Sequence, residues 1–427
     1  MVSVDEDREF LISDNEADEH VVQVGNMEPL AVGDQRLERK IGWLSGAMVN
    51  ISYIIGAGIF VGPSLTLGLL GSGGMNIIAW TIGALIAMAG SWTFAELETE
   101  ISFGIYVYNV ELDESFNVLT VVKISVLGLV IFVGILTLIG AISNDIDVKT
   151  ALSFQGTSDT IAPYASALYY VMNSYSGWHN LNFILDEVKD PIKNLPKASA
   201  VALGTTAVLY VMTNVSYLAV LGTAAMKDSK YIVAASFFTK SLGENFATKV
   251  LPVLIALGAF GCGASINFSA GRIIMETGRS GLLPYGRTLG HVNPKVKSPV
   301  NAYLLQYFLT IIFTVALPPG AVYQFIIAFQ AYPVYVFYTL IALSVIILRK
   351  REPYNKRPIV APLVLPYVTA IASMFVYAIL WYYQIVIRDT PGKSYNEDIR
   401  RQGQAALERE VFGGGYTRVS TEENTTS

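Results

Sequence analysis

The sequence is poor in the residues that build catalytic and metal sites. Its 427 residues include one cysteine, Cys262, and three histidines that lie far apart in the chain. A single cysteine excludes an intrachain disulfide and a cysteine-based metal site. No Ser/His/Asp set or metal cluster stands out, and GSGGM (residues 71–75) lacks the lysine of a phosphate-binding loop and predicts a turn. We therefore expect no enzyme activity and no cofactor.

Charged residues are also scarce, at 15% of the chain, whereas 52% is hydrophobic and the mean hydropathy is +0.46. This composition is too apolar for a soluble globular protein and predicts residence in a lipid bilayer. The net charge of −5 comes largely from an acidic N-terminal stretch, so it does not indicate a nucleic-acid partner. The sequence predicts a disordered acidic tail over 1–40, a transmembrane domain over 41–387 and a polar tail over 388–427. Residues 1–40 lack a signal-peptide pattern, so we expect the first span to target and anchor the chain.

Nine apolar windows follow one another along the chain, each near the roughly 20 residues that cross a hydrocarbon core. They are 43–68, 74–95, 118–142, 161–183, 199–223, 249–274, 298–317, 322–348 and 359–387. Such long continuous runs are typical of helices and exclude the short alternating strands of a membrane barrel. The predicted fold class is an all-α polytopic membrane protein.

Lysine and arginine concentrate on one side of this topology. If nine spans alternate, the basic stretches before the first span and after the fourth, sixth and eighth all share a side. The positive-inside rule then predicts a cytosolic N-terminus. An odd number of spans places the C-terminal tail outside, whereas the arginines of the tail favour the inside, which a hairpin in the last window would allow. The loop over 96–116 departs from the rule, because it should be cytosolic yet is acidic and contains no lysine or arginine.

Two spans are interrupted by residues that hold a helix poorly in hydrocarbon. The first contains YIIGAGIFVGP (residues 53–63), and each glycine there should cost roughly 1 kcal/mol relative to alanine. The fourth contains NSYSG (residues 173–177). Small-residue packing in the first span and an ordinary helix end in the fourth would explain these features. The alternative is a pair of discontinuous helices, the pattern that marks a transporter's binding site near the membrane midplane.

Several motifs, in the same order, resemble amino-acid permeases of the amino acid, polyamine and organocation (APC) superfamily. IIGAGIFVGP is similar to their first-span signature, SYSGWHNLNFILDEVKDPIKNLPKA to their sixth helix and its cytosolic exit, and NFSAGRIIMETGRSGLLP to the end of their eighth. SFFTKSLGENFATKVLPVLIALGAFG and FQAYPVYVFYTLIALSVIILRKREP most resemble the L-type branch and its fungal high-affinity methionine permeases. The resemblance covers nearly everything from residue 41 to about residue 383 and implies a LeuT-like inverted-repeat fold.

The resemblance implies a substrate site made largely of backbone. The substrate carboxylate would rest on amides around Ala57 and Gly58, and the α-ammonium on carbonyls near Ile54 and in the second interruption. Ala57 stands where the family usually has serine, which removes a possible hydroxyl contact but no backbone amide. The implied substrate-binding residues are Ile54, Gly56, Ala57, Gly58, Asn173, Ser174, Tyr175 and Ser176.

Lys123 and Trp178 are the implied coupling and gating residues. Lys123 lies inside an apolar span and resembles a family lysine on the fifth helix that replaces a bound sodium ion. It could therefore connect the fifth helix to the first and couple transport to protons. Alternatively it reaches the nearby cytosolic interface by snorkelling. Tyr175 and Trp178 would gate or line the pocket, or simply pack. Glu96 and Glu98 are expected at the membrane interface rather than in catalysis.

The resemblance also implies that the chain is incomplete. The family has twelve helices and this sequence supplies about nine, because helices three and four and part of the last pair are missing. Residues 231–248 match the extracellular lid region, with a plain surface helix as the alternative. We expect proton-coupled import of methionine or another neutral amino acid at the plasma membrane. The alternative is a transport-inactive amino-acid sensor or truncated isoform that retains only part of the binding site.

Overall fold

The computed structural model describes residues 41–56, 58–100, 115–142, 145–182, 188–229, 233–293, 295, 298–316, 321–352 and 357–381. The predicted tails over 1–40 and 388–427 lie outside the described residues, and so does Ala57. Across the described ranges the regular structure is helical, apart from two isolated β-bridges. The prediction of an all-α fold is confirmed.

The first predicted span is a bent pair of helices, α1 (Trp43–Ile54) and α2 (Gly58–Leu70), whose axes differ by 51°. Extended backbone at Ile55 (φ −74°, ψ 92°) ends α1 just before Gly56. A third helix, α3 (Gly73–Glu100), follows. The interruption predicted at the glycines is therefore confirmed as a break in the helix.

The next helices are α4 (Ser115–Leu138), the short α5 (Val148–Ala151) and α6 (Ile161–Ser174). Residues 101–114 separate α3 from α4, which is too few for two further spans of about 20 residues each. The second interruption is also present, because α6 ends at Ser174 and turns carry the chain to Asn182. No further α-helix begins before residue 191 in the residues described there.

The longest helix is α7 (Pro191–Asp228), which starts with a proline at its first position and contains non-helical backbone at Gly222 (φ 73°). Two helices follow, α8 (Val233–Leu242) and, after a π-helical turn, α9 (Leu251–Arg279). The amphipathic segment expected as a lid or a surface helix forms α8, which buries Phe237 and Phe238 and packs on α7 and α2.

The C-terminal part contains the short α10 (Gly286–Leu289), then α11 (Val300–Ala316), α12 (Ala321–Arg351) and α13 (Val364–Trp381). Among the described residues, five helices are long and apolar enough to cross a membrane, and α1 with α2 makes a sixth if counted as one bent span. The other three predicted windows contain shorter helices, α6, α11 and α13.

The helices assemble around α1 and α7. Helix α1 packs on α4, α7 and α9, while α2 packs on α6 and α7. A parallel bridge between Ile41 and Val188 joins the residues just before α1 and α7, and Lys189 N donates to Ile41 O at 2.9 Å. The described residues just before α1 and just before α7 therefore lie side by side.

A buried polar network connects α2, α3 and α7. Thr66 Oγ1 bonds with Asn76 Oδ1 at 2.5 Å and accepts from Trp80 Nε1 at 3.1 Å. Asn76 Nδ2 donates to Asn214 Oδ1 at 3.0 Å, and Asn214 Nδ2 donates to Tyr210 O at 2.8 Å. Because all of these side chains are fully buried, each bond replaces one that water would otherwise supply.

Removing the Thr66 hydroxyl should destabilise this network. Thr66→Val keeps the side-chain shape but leaves the Trp80 N–H and the Asn76 amide oxygen without this partner, which should lower the free energy of unfolding by about 1–3 kcal/mol. Thr213→Val is the matched control, since the Thr213 hydroxyl is equally buried and bonds to nothing among the described residues. Equal unfolding free energies for the two variants, measured in mixed micelles, would contradict the prediction.

A second polar cluster joins α3 to the α12–α13 connection. Arg349 makes a bidentate ion pair with Glu96, with Nε to Oε1 at 2.7 Å and Nη2 to Oε2. Ala361 N also donates to Glu96 Oε2 at 2.9 Å, and Arg357 Nε lies 3.8 Å from Oε1. The carboxylate of Glu96, which the sequence predicts at the membrane interface, is 0% exposed and bound within the protein. The partners of this acidic residue come from the basic stretch that follows the eighth predicted span.

Candidate functional site

The last turn of α1 exposes three consecutive carbonyl oxygens that have no partner within their own helix. Each accepts a hydrogen bond from a side chain on a different helix. The donors are Lys123 on α4 (Nζ to Ser52 O, 2.5 Å), Cys262 on α9 (Sγ to Tyr53 O, 3.3 Å) and Tyr210 on α7 (Oη to Ile54 O, 3.0 Å). The end of α1 is therefore fixed by tertiary contacts with three helices.

The two interruptions lie directly against each other. A Cβ built on Gly58 would stand 2.9 Å from Ser174 Oγ and 3.1 Å from Ser174 Cα. A Cβ on Gly62 would stand 3.0 Å from the same hydroxyl. The Tyr210 hydroxyl also reaches Ser174 O at 3.3 Å, in addition to Ile54 O. Small-residue packing, one of the two explanations for these glycines, therefore occurs together with the break rather than instead of it.

Glycine is also required on the other side of the contact. Gly177 has a φ of 102°, and a Cβ there would lie 2.0 Å from Cδ1 of Tyr53 on α1. Gly56 packs less tightly, since a Cβ there would meet Cys262 Sγ at 3.3 Å. The turn after α6 thus approaches α1 so closely that a side chain at residue 177 would overlap the Tyr53 ring.

Lys123 is buried, with 3% of the residue exposed. Besides its bond to Ser52 O, its ammonium lies 3.4 Å from Ser52 Oγ. A cation at the C-terminal end of a helix is stabilised by the negative end of the helix dipole. The side chain connects α4 to α1, as the resemblance implies, and does not extend to an exposed position as snorkelling would require.

The two aromatic candidates are both packed. Tyr175 packs against Trp80 and Tyr210, with ring centroids 6.0 Å and 5.0 Å away. Trp178 lies in a separate aromatic cluster with Phe94, His179 and Tyr338, at 4.9 to 5.0 Å between centroids. In this conformation both rings fill space between helices, as the packing interpretation expects.

The other predicted substrate-binding residues differ in their exposure. Ser174 is buried, but Asn173 and Ser176 are exposed. Ala57 lies outside the described residues. The structure therefore brings together Ile54, Gly56, Gly58 and the residues of the second interruption from Ser174 to Gly177, with two of the proposed polar side chains turned outward.

Sequence analysis missed two residues that fix these helix ends. Tyr210 bonds to carbonyls at the ends of both α1 and α6, and Cys262 bonds to the end of α1, yet neither belongs to a recognised motif. One signal was available, because a tyrosine in the middle of an apolar span needs a hydrogen-bond partner when it is buried. The sequence could not say which carbonyl that partner would be.

The site has opposite polarity at its two ends. The C-termini of α1 and α6 present carbonyl oxygens and the negative ends of two helix dipoles. The N-terminus of α2, next to them, presents amide N–H groups that have no partner within the helix. Adjacent groups of this kind can bind the ammonium and the carboxylate of one zwitterion without a charged side chain.

The chain is similar in sequence to several amino-acid transporters. The chain is 27% identical to a human cystine/glutamate transporter over 84% of this chain and 83% of that protein. It is 25% identical to the mouse b(0,+)-type amino acid transporter 1, over 79% of this chain and 82% of that protein. It is also 26% identical to the high-affinity methionine permease of Saccharomyces cerevisiae, over 69% and 64% of the two chains.

The sequence profile of one family, described as amino acid permease, matches residues 109–395, about two thirds of the chain. This range begins after α3, so the broken first span lies outside it and is supported by the structure. A match of that extent, on a chain of apolar helices, decides the classification. The protein is an integral membrane protein that belongs to the amino acid permease family.

Proposed function

We propose that this chain carries an amino acid across the membrane by secondary active transport, with methionine or another neutral amino acid as substrate and protons as the coupling ion. The observation that carries the proposal is the contact between the two interruptions, where Gly58 meets Ser174 and the Tyr210 hydroxyl reaches carbonyls of both. The proposed substrate-binding residues are those of the first interruption (Ile54, Gly56, Ala57, Gly58) and of the second (Asn173, Ser174, Tyr175, Ser176).

The relatives support an amino-acid substrate, because all three are named as amino-acid transporters or permeases. The proposal includes a plasma-membrane location and a cytosolic N-terminus, and the basic stretches of the sequence support the orientation. Trp178, packed between α3 and α12, would act as a gating residue.

A second candidate function is amino-acid sensing without transport. Asn173 and Ser176 are exposed, although both belong to the proposed site. The resemblance implies that helix three normally lines this side, and the 14 residues of 101–114 cannot supply it. Such a chain would bind the substrate yet fail to complete a transport cycle.

Uptake by proteoliposomes distinguishes the two functions. With purified protein and labelled L-methionine, we expect saturable accumulation that an inward proton gradient increases. Binding without accumulation would favour the sensor, and neither binding nor accumulation of any neutral amino acid would contradict both.

Substitution of Lys123 tests the proton coupling. Lys123→Met should remove the dependence of uptake on the proton gradient. Among the described contacts, the Lys123 ammonium is the one that donates to the Ser52 carbonyl of α1, and methionine cannot carry a proton there. Lys149→Met is the control, since Lys149 is exposed on α5 and should retain the parent's dependence. An unchanged pH profile in Lys123→Met would exclude the proton role for this residue.

A further inference from the structure

The connection between α9 and α11 carries basic and apolar side chains that are both exposed. We call these five residues the α9–α11 patch: Leu282, Tyr285, Arg287, His291 and Lys295. The stretch is basic without compensation in the sequence, because no aspartate or glutamate occurs over residues 277–351. Such a surface needs a partner that offers negative charge and apolar contact together.

The backbone that carries the patch is fixed to the two flanking helices. Arg279, the last residue of α9, donates from Nε to Gly290 O at 3.0 Å. On the other side, Asn301 of α11 donates from Nδ2 to Thr288 O at 2.8 Å. The short helix α10 thus has one attachment to each neighbour, and the patch projects from a defined position at the end of both helices.

Tyr285 has an unusual backbone conformation for an aromatic residue. Its φ of 58° lies in the left-handed region, which disfavours bulky side chains. The surroundings impose this conformation, because Thr288 N donates to Tyr285 O at 2.9 Å and a Cβ on Gly286 would stand only 2.3 Å from Gly278 O. Yet the residue is 84% exposed, so packing against the described residues does not explain a tyrosine here. Strained backbone of this kind clusters at binding surfaces.

The patch continues the lipid-facing surface of the two helices that it joins. Ile273 near the end of α9 is 43% exposed, and Leu304 near the start of α11 is 61% exposed. Leu282, between these helices, is 70% exposed. The connection follows a helix long and apolar enough to span the membrane, so it lies where the headgroups begin. Tyrosine is enriched at that depth, and basic clusters there bind anionic lipids.

We infer that the α9–α11 patch binds anionic lipid headgroups of the surrounding bilayer. Its basic side chains contact the headgroup charges, while Leu282 and Tyr285 insert at the boundary with the acyl chains. Glu276, the nearest acidic residue in the sequence, lies 3.7 Å from Arg279 and pairs with it. Within the described part of the chain, Arg287 and Lys295 form no salt bridge, so their charge is directed to a partner outside the protein. The inference does not depend on which substrate the chain carries.

The test measures which lipids surround the patch in nanodiscs of the full chain. A bimane fluorophore is attached at Thr288→Cys, an exposed position beside the patch, in a Cys262→Ala background. The matched position is Gln155→Cys, exposed in the α5–α6 connection next to Phe154, where residues 150–188 contain no lysine or arginine. Headgroup-spin-labelled phosphatidylserine should quench the Thr288 label about 3- to 10-fold more effectively than the phosphatidylcholine equivalent. The two lipids should quench the Gln155 label equally.

Two pairs of substitutions separate charge from insertion. Arg287→Gln with Lys295→Gln should remove the preference for phosphatidylserine, and high salt should do the same in the parent. Leu282→Ser with Tyr285→Ser should instead reduce quenching by lipids labelled on the acyl chain. A preference that survives the charge substitutions, or that is equal at Gln155, would overturn the inference. A preference abolished at constant ionic strength by glycerophosphoserine, or by a peptide of residues 1–20, would assign the patch to a soluble anion or to the acidic N-terminal stretch and would also overturn it.

Discussion

Glu96→Gln should lower the free energy of unfolding by about 3–5 kcal/mol, the cost of removing one member of a buried ion pair. Glu96 is fully buried, and its carboxylate accepts from Arg349 and from Ala361 N, with Arg357 nearby. The neutral amide cannot balance two guanidinium groups. Equilibrium unfolding in mixed micelles, by titration with a denaturing detergent, measures the effect.

The reciprocal change should cost less. Arg349→Gln leaves Glu96 with Arg357 at 3.8 Å and with the Ala361 amide, so part of the compensation remains. The double variant should be less destabilised than the sum of the two single changes, because both changes remove the same ion pair. Lys350→Gln is the control, since it removes the same charge from the adjacent, exposed position.

Two results would contradict this account. Additive effects of Glu96→Gln and Arg349→Gln would mean that the two side chains do not stabilise each other. A loss in Lys350→Gln equal to that in Arg349→Gln would mean that net charge at the end of α12, rather than the ion pair, determines stability. Either outcome would remove the connection between α3 and the α12–α13 segment that the structure assigns to this pair.

Gly177→Ala should destabilise the protein by about 2–5 kcal/mol, from left-handed backbone strain of about 1–2 kcal/mol and overpacking of about 1–3 kcal/mol. The φ of 102° disfavours any side chain, and the new methyl group would stand 2.0 Å from Tyr53 Cδ1. Since Tyr53 immediately precedes Ile54 at the end of α1, its displacement should also disturb the candidate site. The free energy of unfolding in micelles and the affinity for L-methionine should both be lower than in the parent.

Gly140→Ala separates the two causes. Gly140 also has a positive φ, 77°, but a Cβ there meets nothing within 4 Å. This control should therefore show only the backbone strain, about 1–2 kcal/mol, and leave binding unchanged. Adding Tyr53→Ala to Gly177→Ala should recover part of the loss by removing the overlap. Equal losses in Gly177→Ala and Gly140→Ala would show that the contact with Tyr53 contributes nothing.

The predictions that succeeded from sequence depend on local properties of the chain. Apolar windows identify helices because lipid leaves no other partner for backbone groups, and eight of the nine windows contain one helix each and the first contains two. Gly56 and Gly58 mark the break between α1 and α2 because glycine holds a helix poorly. The absence of two helices between α3 and α4 follows from counting residues.

The predictions that were incomplete depend on partners far away in the sequence. Glu96 departs from the charge rule for loops, and the reason, Arg349, comes 253 residues later. Lys123 has two chemically reasonable positions, and only the packing of α4 on α1 selects the buried one. Three apolar windows contain helices of 14 to 18 residues among the described residues, shorter than the windows themselves.

By itself the sequence determined that this protein is a helical membrane protein with two interrupted spans, because composition and glycine placement act within one helix. Only the tertiary structure decided that the interruptions touch, and that Lys123, Cys262 and Tyr210 from three helices bind the last carbonyls of α1. The physical reason is that carbonyl groups at a helix end must find donors, and any helix brought close enough can provide them. Which donor does so is set by packing, which no local pattern encodes.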